Sequence, residues 1–544
     1  MRKILLLLIS LVTIAAKATV SVWDGSSSSL TWYTSGSGGT YHISTAADLA
    51  GLAKCFPEDY YLYGNFSGKT IILDNDIDLG GYEWTPIGTL SSSAAFTSFA
   101  GIFDGNGHTI KGLHISKLRG SSYLCYAGLF GWNNFDASFT IKNLKVEGDI
   151  TISSNGNLTS SGSAYIGGIA ACSGGSIENC SSDVSINVTL TTGNDVYCGG
   201  IVGYMYNYDS STKAVLTKCC SKGSIKAYLT NSNKPSVGGI AGNIANDHEV
   251  SLLESVSDIY ATNGKISYLG GIIGQCSSSV NDAIFKGNIS TEYANYALVG
   301  GIIGNSFSTC TLTNCIAIAT LSKSNGTAYL SSISGTKSSS LSTDNCFYLF
   351  GMSNNTSYGS SMTESQLKSG EPISGFNTEL WCFETGSYPY LGFSKPQYTM
   401  NIALEGGYLG MKMNEGASKK WIVTSEENNE LYQILWGDYD ITSQVTSEGV
   451  LQTPEITSDV VLRFIFKETE NSIKKTTLNE VKFKANNNGL TISGLTGSEF
   501  IYVYTKSGLK VFSEKTSTNQ ISIPDLSRDV YIIKIGNESF KIAM

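Results

Sequence analysis

Apolar residues recur in this chain around pairs of glycines, with an apolar residue before each pair and an isoleucine after it in the five clear copies. Those copies begin at Gly167, Gly199, Gly238, Gly270 and Gly300, and degenerate copies lie at 127–131 and 331–335. A period of about 30 to 40 residues is the size of one turn of a stacked repeat structure. The pattern therefore predicts a solenoid rather than a globular enzyme core.

Short apolar runs between the glycine pairs predict strands, because no sustained helical spacing is present. The apolar residues on either side of a glycine pair are three positions apart, so an unbroken strand would point them to opposite faces. We expect the glycines to bend the chain through positive φ, so that both side chains face inward. Stacking two or three such strands per turn predicts an all-β fold, a right-handed parallel β-helix, with each isoleucine of the phrase in one inward column over 95–350.

A second recurring mark is an asparagine followed by a cysteine. It occurs at Asn179, Asn314 and Asn345, with Lys218 in the asparagine position of a variant copy. The cysteines of this mark hold similar places in successive repeats: Cys180, Cys219, Cys315 and Cys346. We expect them to form a buried column of free thiols, because the spacing of stacked strands permits disulfides without requiring them.

Composition narrows the functional class. The chain has 59 glycines, 8 prolines and only 15% charged residues, and it is too apolar and aromatic for a disordered protein. A net charge of −9 without a basic cluster argues against a nucleic-acid partner. No cysteine pair has the spacing of a zinc or redox motif, so no metal or cofactor is expected.

The N-terminus has the features of a secretory signal. Arg2 and Lys3 precede an apolar stretch over 4–14, and residues 16–18 fit a small-x-small cleavage site. We therefore predict a signal peptide over 1–18. The apolar stretch is shorter than the roughly 20 residues that a membrane-spanning helix needs, and no other stretch is suited to one.

The segment before the regular repeats carries a family resemblance. Thr45 is expected to cap a short helix over 45–56, and the runs 71–79, 84–88 and 99–110 follow it. This series, followed by Gly-Gly-Ile-x-Gly repeats, resembles bacterial surface proteins with the GLUG motif, which are built on a pectin-lyase-like right-handed β-helix. The resemblance covers about residues 41–393. It implies either an adhesin or an immunoglobulin-cleaving metalloprotease, but the proteases carry a separate domain with HExxH, which this chain lacks.

Pectin-lyase-like folds also host enzymes that act on polysaccharides through clustered carboxylates. Asp74, Asp76 and Asp78 alternate and would share one face of a strand, where they could form a calcium or acid/base site. The favoured alternative is a half-buried strand with an acidic outer face. The run 104–107 predicts a corner turn, and no catalytic pair is identified.

Three alternating tyrosines are the candidate ligand-binding residues: Tyr204, Tyr206 and Tyr208. On a strand they would line one face, and aromatic faces serve as platforms for sugar rings and as anchors at protein interfaces. The alternative, slightly favoured, is packing against a neighbouring repeat.

The C-terminal part predicts smaller β domains after a cap. The predicted boundaries are 19–393 for the β-helix with its lead-in and cap, 394–470 for an immunoglobulin-like β-sandwich, and 471–544 for a second β-sandwich. The last of these, with Val511 and the run 531–535, is similar to the sorting domains of the type IX secretion system, although Asp529 replaces the usual glycine. That similarity implies a secretion or anchoring machinery as a partner.

These observations predict a secreted or cell-surface, adhesin-like protein that binds a glycan or protein ligand and is not an enzyme. Two alternatives stay open: a polysaccharide lyase or glycoside hydrolase that uses the groove of the helix, and a purely structural surface fibre.

Overall fold

The structure is a computed structural model, and the fold is mostly β-strand, with a β-solenoid of about nine turns followed by small antiparallel sheets. It describes residues 22–36, 38–56, 64–88, 98–133, 139–207, 212–230, 234–262, 265–336, 340–352, 358–394, 397–404, 407–414, 420–422, 429–446, 450–456, 458, 460–468, 481–486, 489–495, 499–505, 510–524, 526, 530–535 and 538–543. The predicted signal peptide lies outside these residues. Within them, no helix has the length and apolar character needed to cross a membrane.

Two helices precede the regular turns, Thr31–Ser35 and Ala46–Lys54. The second begins as the sequence predicts, because the Thr45 hydroxyl accepts from the Asp48 backbone N–H at 3.2 Å and the Asp48 carboxylate accepts from the Thr45 N–H at 3.1 Å. This reciprocal capping satisfies two backbone donors at the start of the helix.

Each regular turn of the solenoid contains four strands, which we number in chain order so that the first strand ends at the glycine pair and the second follows it. The first strands, which lead into the pair, are Leu124–Ala127, Ser163–Gly167, Asp195–Gly199, Lys234–Gly238 and Ser267–Gly270. The second strands form a separate six-stranded sheet of Phe130–Trp132, Ala170–Ser173, Val202–Met205, Ala241–Ile244, Ile273–Cys276 and Ile303–Ser306.

The third and fourth strands extend the same stacking to both ends of the solenoid. The third strands are Thr40–Ile43, Thr70–Leu73, Ile102–Asp104, Thr140–Lys142, Ser176–Glu178, Val215–Ser221, Glu249–Ser255 and Leu341–Asp344. The fourth strands are Ile77–Asp78, Thr109–Ile115, Lys145–Ile152, Ser181–Leu190, Ile225–Leu229, Ile259–Thr262, Phe347–Leu349 and Ser360–Met362. Pairing between turns is parallel throughout these stacks, as predicted; a short antiparallel exception joins Arg119–Gly120 to Leu124–Ala127.

Two long strands cover three sides of the turns near the C-terminal end. Val280–Gly300 and Cys310–Ser331 run in parallel, from the pair Val280 and Leu312 to the pair Gly300 and Ser331. They take the place of separate third, fourth and first strands in these turns.

The isoleucine of each Gly-Gly-Ile phrase is fully buried and lies in one column, which confirms the prediction. The column comprises Ile169, Ile201, Ile240, Ile272 and Ile302, each with 0% of its surface exposed. The carbonyl oxygen of Ile201 accepts from the N–H groups of both Ile169 and Ala170 at 3.0 Å, and the same double acceptance repeats up the stack. Burial of the side chain and backbone pairing therefore act together at every turn.

The prediction that the glycine pairs adopt positive φ is wrong. None of the ten glycines in the five clear pairs has φ in the left-handed region. Glycine is required at these positions because there is no room for a Cβ atom. A Cβ on Gly167 would lie 2.0 Å from the Ala170 carbonyl oxygen, and one on Gly200 would lie 2.4 Å from the Gly239 carbonyl oxygen in the next turn. The chain turns so tightly here that no side chain fits.

Positive φ occurs instead at the residue before the cysteine column. Seven successive turns have a left-handed residue at this place: Asn143, Asn179, Lys218, Leu252, Asp282, Asn314 and Asn345. Asparagine tolerates this conformation better than most residues. We call this set the left-handed column.

Amide side chains of the left-handed column form a ladder along the solenoid. Asn179 donates to the side-chain oxygen of Asn143 at 2.8 Å, and Asn143 donates to the Asp104 carboxylate at 2.9 Å. Nearer the C-terminal end, Asn345 donates to Asn314 and Asn314 donates to Asp282, both at 3.2 Å.

All twelve cysteines are free, and all except the partly exposed Cys382 are buried. In the asparagine–cysteine mark the thiol donates to the carbonyl oxygen two residues earlier, as from Cys180 to Glu178 at 3.3 Å and from Cys315 to Thr313 at 3.4 Å. The Glu178 carbonyl oxygen also accepts from the Asn143 backbone N–H at 3.0 Å, so the thiol of Cys180 adds a second hydrogen bond beside the left-handed bend while its side chain fills the core.

A C-terminal segment packs on the flank of the solenoid. It contains the helix Glu364–Leu367, which Thr363 caps, the antiparallel pair Trp381–Cys382 and Tyr390–Leu391, and the short helix Gly392–Ser394. Its apolar residues share a cluster with Ile284 and Ile316 of the solenoid. We call residues 358–394 the cap.

The described residues fall into two compact units, one ending its main segment at Met400 and the other containing most of the chain after it. The predicted domain boundaries at 393 and 470 stay predictions. Strands Gln397–Leu404, Gly407–Asn414, Asn429–Trp436, Tyr439–Asp440 and Val460–Glu468 form a five-stranded sheet, and Lys420–Ile422 pairs with Val450–Gln452. A single-turn helix, Thr442–Gln444, lies between them in sequence.

The last part of the chain contains two small antiparallel sheets around one apolar core. The first sheet comprises Lys482–Asn486, Gly489–Ser493 and Gln520–Pro524, and the second comprises Phe500–Thr505, Lys510–Lys515, Val530–Ile535 and Glu538–Ala543. Ile492 of the first sheet and Val503 and Ile533 of the second lie in this core and are fully buried. Asp529, which replaces the usual glycine of the sorting domains, lies outside the described residues.

Candidate ligand-binding site

The first and second strands of the solenoid meet on their outer faces along a narrow seam. The fifth residue of the repeat phrase is glycine in four of the five clear copies, and it forms the floor of this seam. A Cβ on Gly203 would lie 2.7 Å from the Ile166 N, and one on Gly242 would lie 2.7 Å from the Cys198 N. There is therefore no room for a side chain at the floor of the seam, and the first side chains beside it belong to the neighbouring outward-facing residues of the first and second strands.

Aromatic rings fill these outward positions over three successive turns. Tyr165 and Tyr197 stack with ring centroids 5.4 Å apart, and the ring of Tyr204 lies 5.4 Å from the first and 5.0 Å from the second. Trp132 packs edge-on against Tyr165 at 5.5 Å, and Tyr206 lies 6.1 Å from Tyr204. We call these five residues the tyrosine cluster.

The tyrosine cluster is a local departure from the repeat. Along the second strands, the place of Tyr204 is taken by Cys172 in the preceding turn and by Asn243 and then Gln275 in the following turns. Along the first strands, the place of Tyr197 is taken by Ser236 in the following turn. Hydroxyl and amide groups therefore interrupt the aromatic surface after the turn of Tyr197, and an aromatic ring returns on the first strands at Tyr268.

Burial of the tyrosine cluster is graded. Trp132 and Tyr165 are 5% and 8% exposed, whereas Tyr197, Tyr204 and Tyr206 are partly exposed. The inner rings therefore support the outer ones, which retain accessible surface for contact with a ligand.

Electrostatics keep the phenol groups neutral. Burial raises the pKa of Tyr204 to about 12, and burial together with the nearby Asp195 carboxylate raises the pKa of Tyr197. Burial also raises the pKa of Asp195, an effect that the paired Lys234 opposes. At neutral pH the tyrosine hydroxyls are thus available as hydrogen-bond donors.

One buried acceptor adjoins the cluster. Asn243 is 7% exposed, and its side-chain oxygen has no hydrogen-bond partner among the described residues. A buried amide oxygen without a donor costs free energy that a hydroxyl or N–H of a ligand would recover.

The structure brings together two of the three tyrosines that the sequence singles out. Tyr204 and Tyr206 lie in the cluster, and Tyr208 lies outside the described residues. Sequence reasoning missed Tyr165 and Tyr197, whose signal is their common place two residues before a glycine pair.

The N-terminal carboxylates do not share one strand face, because the strand Thr70–Leu73 ends before them and the next begins at Ile77. Each has its own partner. Asp74 binds His42 at 2.7 Å, Asp76 lies 3.2 Å from His108, and Asp78 lies 3.3 Å from Lys111. Nowhere in the part of the chain that the structure describes do three or more histidine, cysteine or acidic residues form a group that could hold a metal ion.

The run 104–107 forms the predicted corner turn. Asn106 and Gly107 have φ of 52° and 81°, and the Asn106 N–H donates to the Asp104 carboxylate at 2.9 Å. These residues have a structural role that the local geometry explains fully.

Comparison with known proteins does not assign this chain to a family or an activity. No protein-family model and no curated protein matches the chain. A solved structure from Bacteroides ovatus, described as a "putative immunoglobulin A1 protease", is similar over 65% of this chain and 93% of its own, with 18% identity and a TM-score of 0.35. A similarity at this level does not assign an activity.

Proposed function

We propose that this protein is exported to the cell surface and acts as an adhesin-like binding protein, with a glycan or protein ligand held at the tyrosine cluster. The observation that carries the proposal is the contiguous packing of five aromatic rings over three successive turns, with three of the rings partly exposed. A repeat scaffold suits recognition when residues at one place depart from its pattern.

The chemistry of the cluster supports a ligand that combines flat apolar faces with hydroxyl or amide groups. Tyr197 and Tyr204 offer ring faces and hydroxyl donors, and Asn243 offers a buried acceptor beside them. Sugar rings and peptide segments both have this combination. The compact sandwich over 481–543 is proposed to engage the secretion or anchoring machinery.

A glycan and peptide array with the full chain tests the proposal. Replacement of Tyr204, Tyr206 and Tyr208 by alanine should weaken binding of any hit, with each stacked ring contributing on the order of 1 kcal/mol. The control is Tyr123→Ala, which removes a ring that is 62% exposed outside the cluster. Equal binding by the triple variant and the control would reject the cluster as the site.

Assays on the same purified protein distinguish the proposed binding role from the two alternatives, an enzyme and a structural fibre. Release of reducing or unsaturated sugar ends from a polysaccharide would favour an enzyme and contradict a pure binding role. Absence of any ligand, with regular end-to-end assembly of the protein, would favour a structural fibre.

A further inference from the structure

The left-handed column has a residue other than asparagine at three places, and two of these residues contact the cap. Leu252 packs against the cluster that contains Trp381 and Leu391 of the cap. Asp282 accepts a hydrogen bond from the Trp381 indole N–H at 2.8 Å. These two substitutions are thereby explained by contacts within the protein.

The third residue, Lys218, has no such explanation. Its φ is 53°, a left-handed conformation that costs a lysine more than an asparagine. The side chain is exposed and forms no ion pair among the residues that the structure describes. Strain of this kind at a surface position suggests a role for the side chain outside the fold.

Lys218 lines a cavity of about 330 Å³ at the edge of the cap, a volume at the small end of the range for ligand pockets. Lys145 and Lys222 also line it, and no carboxylate does. Lys145 binds Glu147 at 2.6 Å, whereas Lys222, like Lys218, has no ion-pair partner among the described residues. We call this cavity the lysine groove.

Glu254 contacts the cap beside this cavity, and its negative charge is already compensated by a lysine of the protein. Glu254 accepts from Lys286 at 2.6 Å, from the Ser394 hydroxyl at 2.6 Å and from the Leu391 N–H at 3.0 Å. Its charge is therefore compensated within the protein. The two unpaired lysines are left to attract a negative charge from outside.

The other groups of the lysine groove suit a saccharide better than a bare anion. The side-chain oxygen of Asn179 ends the ladder, because the next turn has Lys218 in place of an asparagine donor, and it receives no hydrogen bond from the described residues. Ser181 adds a hydroxyl and Phe393 a partly exposed ring.

We propose that the lysine groove binds an acidic polysaccharide, with Lys218 and Lys222 holding a carboxylate or sulfate group and Asn179 accepting from a neighbouring sugar hydroxyl. This site is separate from the tyrosine cluster and does not depend on it.

Calorimetric titration of the full chain tests the proposal with three oligosaccharides of equal length. An oligogalacturonate carries only carboxylates, a carrageenan oligosaccharide carries sulfates, and a maltooligosaccharide is neutral. We expect at least one acidic probe to bind, with affinity that falls as salt rises, and the neutral probe to bind at least about tenfold more weakly. Equal binding of acidic and neutral probes, or no binding, would overturn the proposal.

Variants locate the site. Replacing Lys218 and Lys222 by glutamine should weaken the acidic probe at least about tenfold, whereas the same change at the exposed Lys265 and Lys323 should leave it within about twofold. Lys218→Asn guards against loss of folding, because asparagine suits the left-handed conformation and can extend the ladder. This variant should raise Tm while it weakens the acidic probe at least about fivefold. Unchanged binding in either groove variant would contradict the proposal.

Discussion

Asn179 donates its side-chain amide to the side-chain oxygen of Asn143 one turn earlier, at 2.8 Å, while its own backbone is left-handed with φ of 51°. The residue thus has two roles, one in the bend of its own turn and one in the contact between turns. Alanine would lose both, and glycine would lose only the second.

We therefore expect Asn179→Ala to lower the free energy of unfolding by about 2 kcal/mol and Asn179→Gly by about 1 kcal/mol. Denaturant unfolding of the two variants measures the difference, which isolates the backbone strain. Equal destabilisation by both would mean that the amide contact alone matters.

Gly200→Ala should be among the most damaging single-methyl changes in the solenoid. The new Cβ would lie 2.0 Å from the Ser221 hydroxyl oxygen and 2.4 Å from the Gly239 carbonyl oxygen, and backbone atoms cannot move away cheaply. We expect a loss of at least about 3 kcal/mol, or failure to fold.

Gly107→Ala is the matched control for this prediction. Gly107 has φ of 81°, but a Cβ added there would meet no heavy atom within 4 Å beyond its own chain neighbours, so only backbone strain opposes the change. A loss of about 1 kcal/mol is expected. If the control were the more damaging variant, positive φ rather than space would govern the glycines.

Glu254→Gln should loosen the cap. The carboxylate is 4% exposed and binds Lys286, Ser394 and the Leu391 backbone together, so its neutral replacement leaves a half-buried lysine without its counter-charge. Removing one partner of a buried pair costs about 3 kcal/mol. The exposed pair of Glu364 with Lys368 is screened by solvent, so Glu364→Gln should cost far less and serves as the control.

Limited proteolysis within the cap, together with the melting temperature, measures this effect. Faster cleavage in Glu254→Gln than in Glu364→Gln is the expected result. Equal rates would show that the apolar contacts of the cap hold it without the carboxylate.

Alkaline pH should destabilise the solenoid through its thiols. Burial raises the pKa of Cys198 to about 12, whereas an unfolded thiol ionises near about 8.5. A raised folded pKa gives stability that is complete below the unfolded pKa and is lost as the pH rises towards the folded one. Each such thiol should cost about 1.4 kcal/mol per pH unit in this window.

Cys198→Val provides the control, because valine holds the same place in the next turn at Val237. Unfolding at about pH 8 and about pH 10, on either side of the unfolded pKa, should show a smaller drop in stability for this variant than for the parent protein. An identical drop would exclude ionisation of Cys198 as a contributor.

Much of the solenoid was predictable from the period of the glycine phrase and the isoleucine that follows it. The reason for the glycines was not, because a clash between Gly200 and Gly239 depends on the distance between turns, which a single strand does not reveal. The left-handed state of Asn179 was missed for a similar reason. The cysteine that follows Asn179 indicates core packing, and it carries no information about the backbone conformation of Asn179 itself.

The tyrosine cluster was half predictable. Alternation within one segment indicated Tyr204 and Tyr206, but Tyr165 and Tyr197 belong to other strands and reach the seam only because the chain turns sharply at the glycines. The three N-terminal aspartates were misplaced because the strand Thr70–Leu73 ends before them, a break that their alternating pattern concealed.

The glycine corners also constrain how such a chain can change in length. A corner fits only against another corner of the same shape, since a Cβ on Gly239 would lie 2.3 Å from the Gly271 carbonyl oxygen just as one on Gly200 would meet Gly239. Inserting or deleting a few residues within a strand that leads into a corner would set that corner out of register with its neighbours. Growth and shrinkage of the stack are therefore expected in whole turns, by duplication or loss of a complete unit, while the connecting loops remain free to vary.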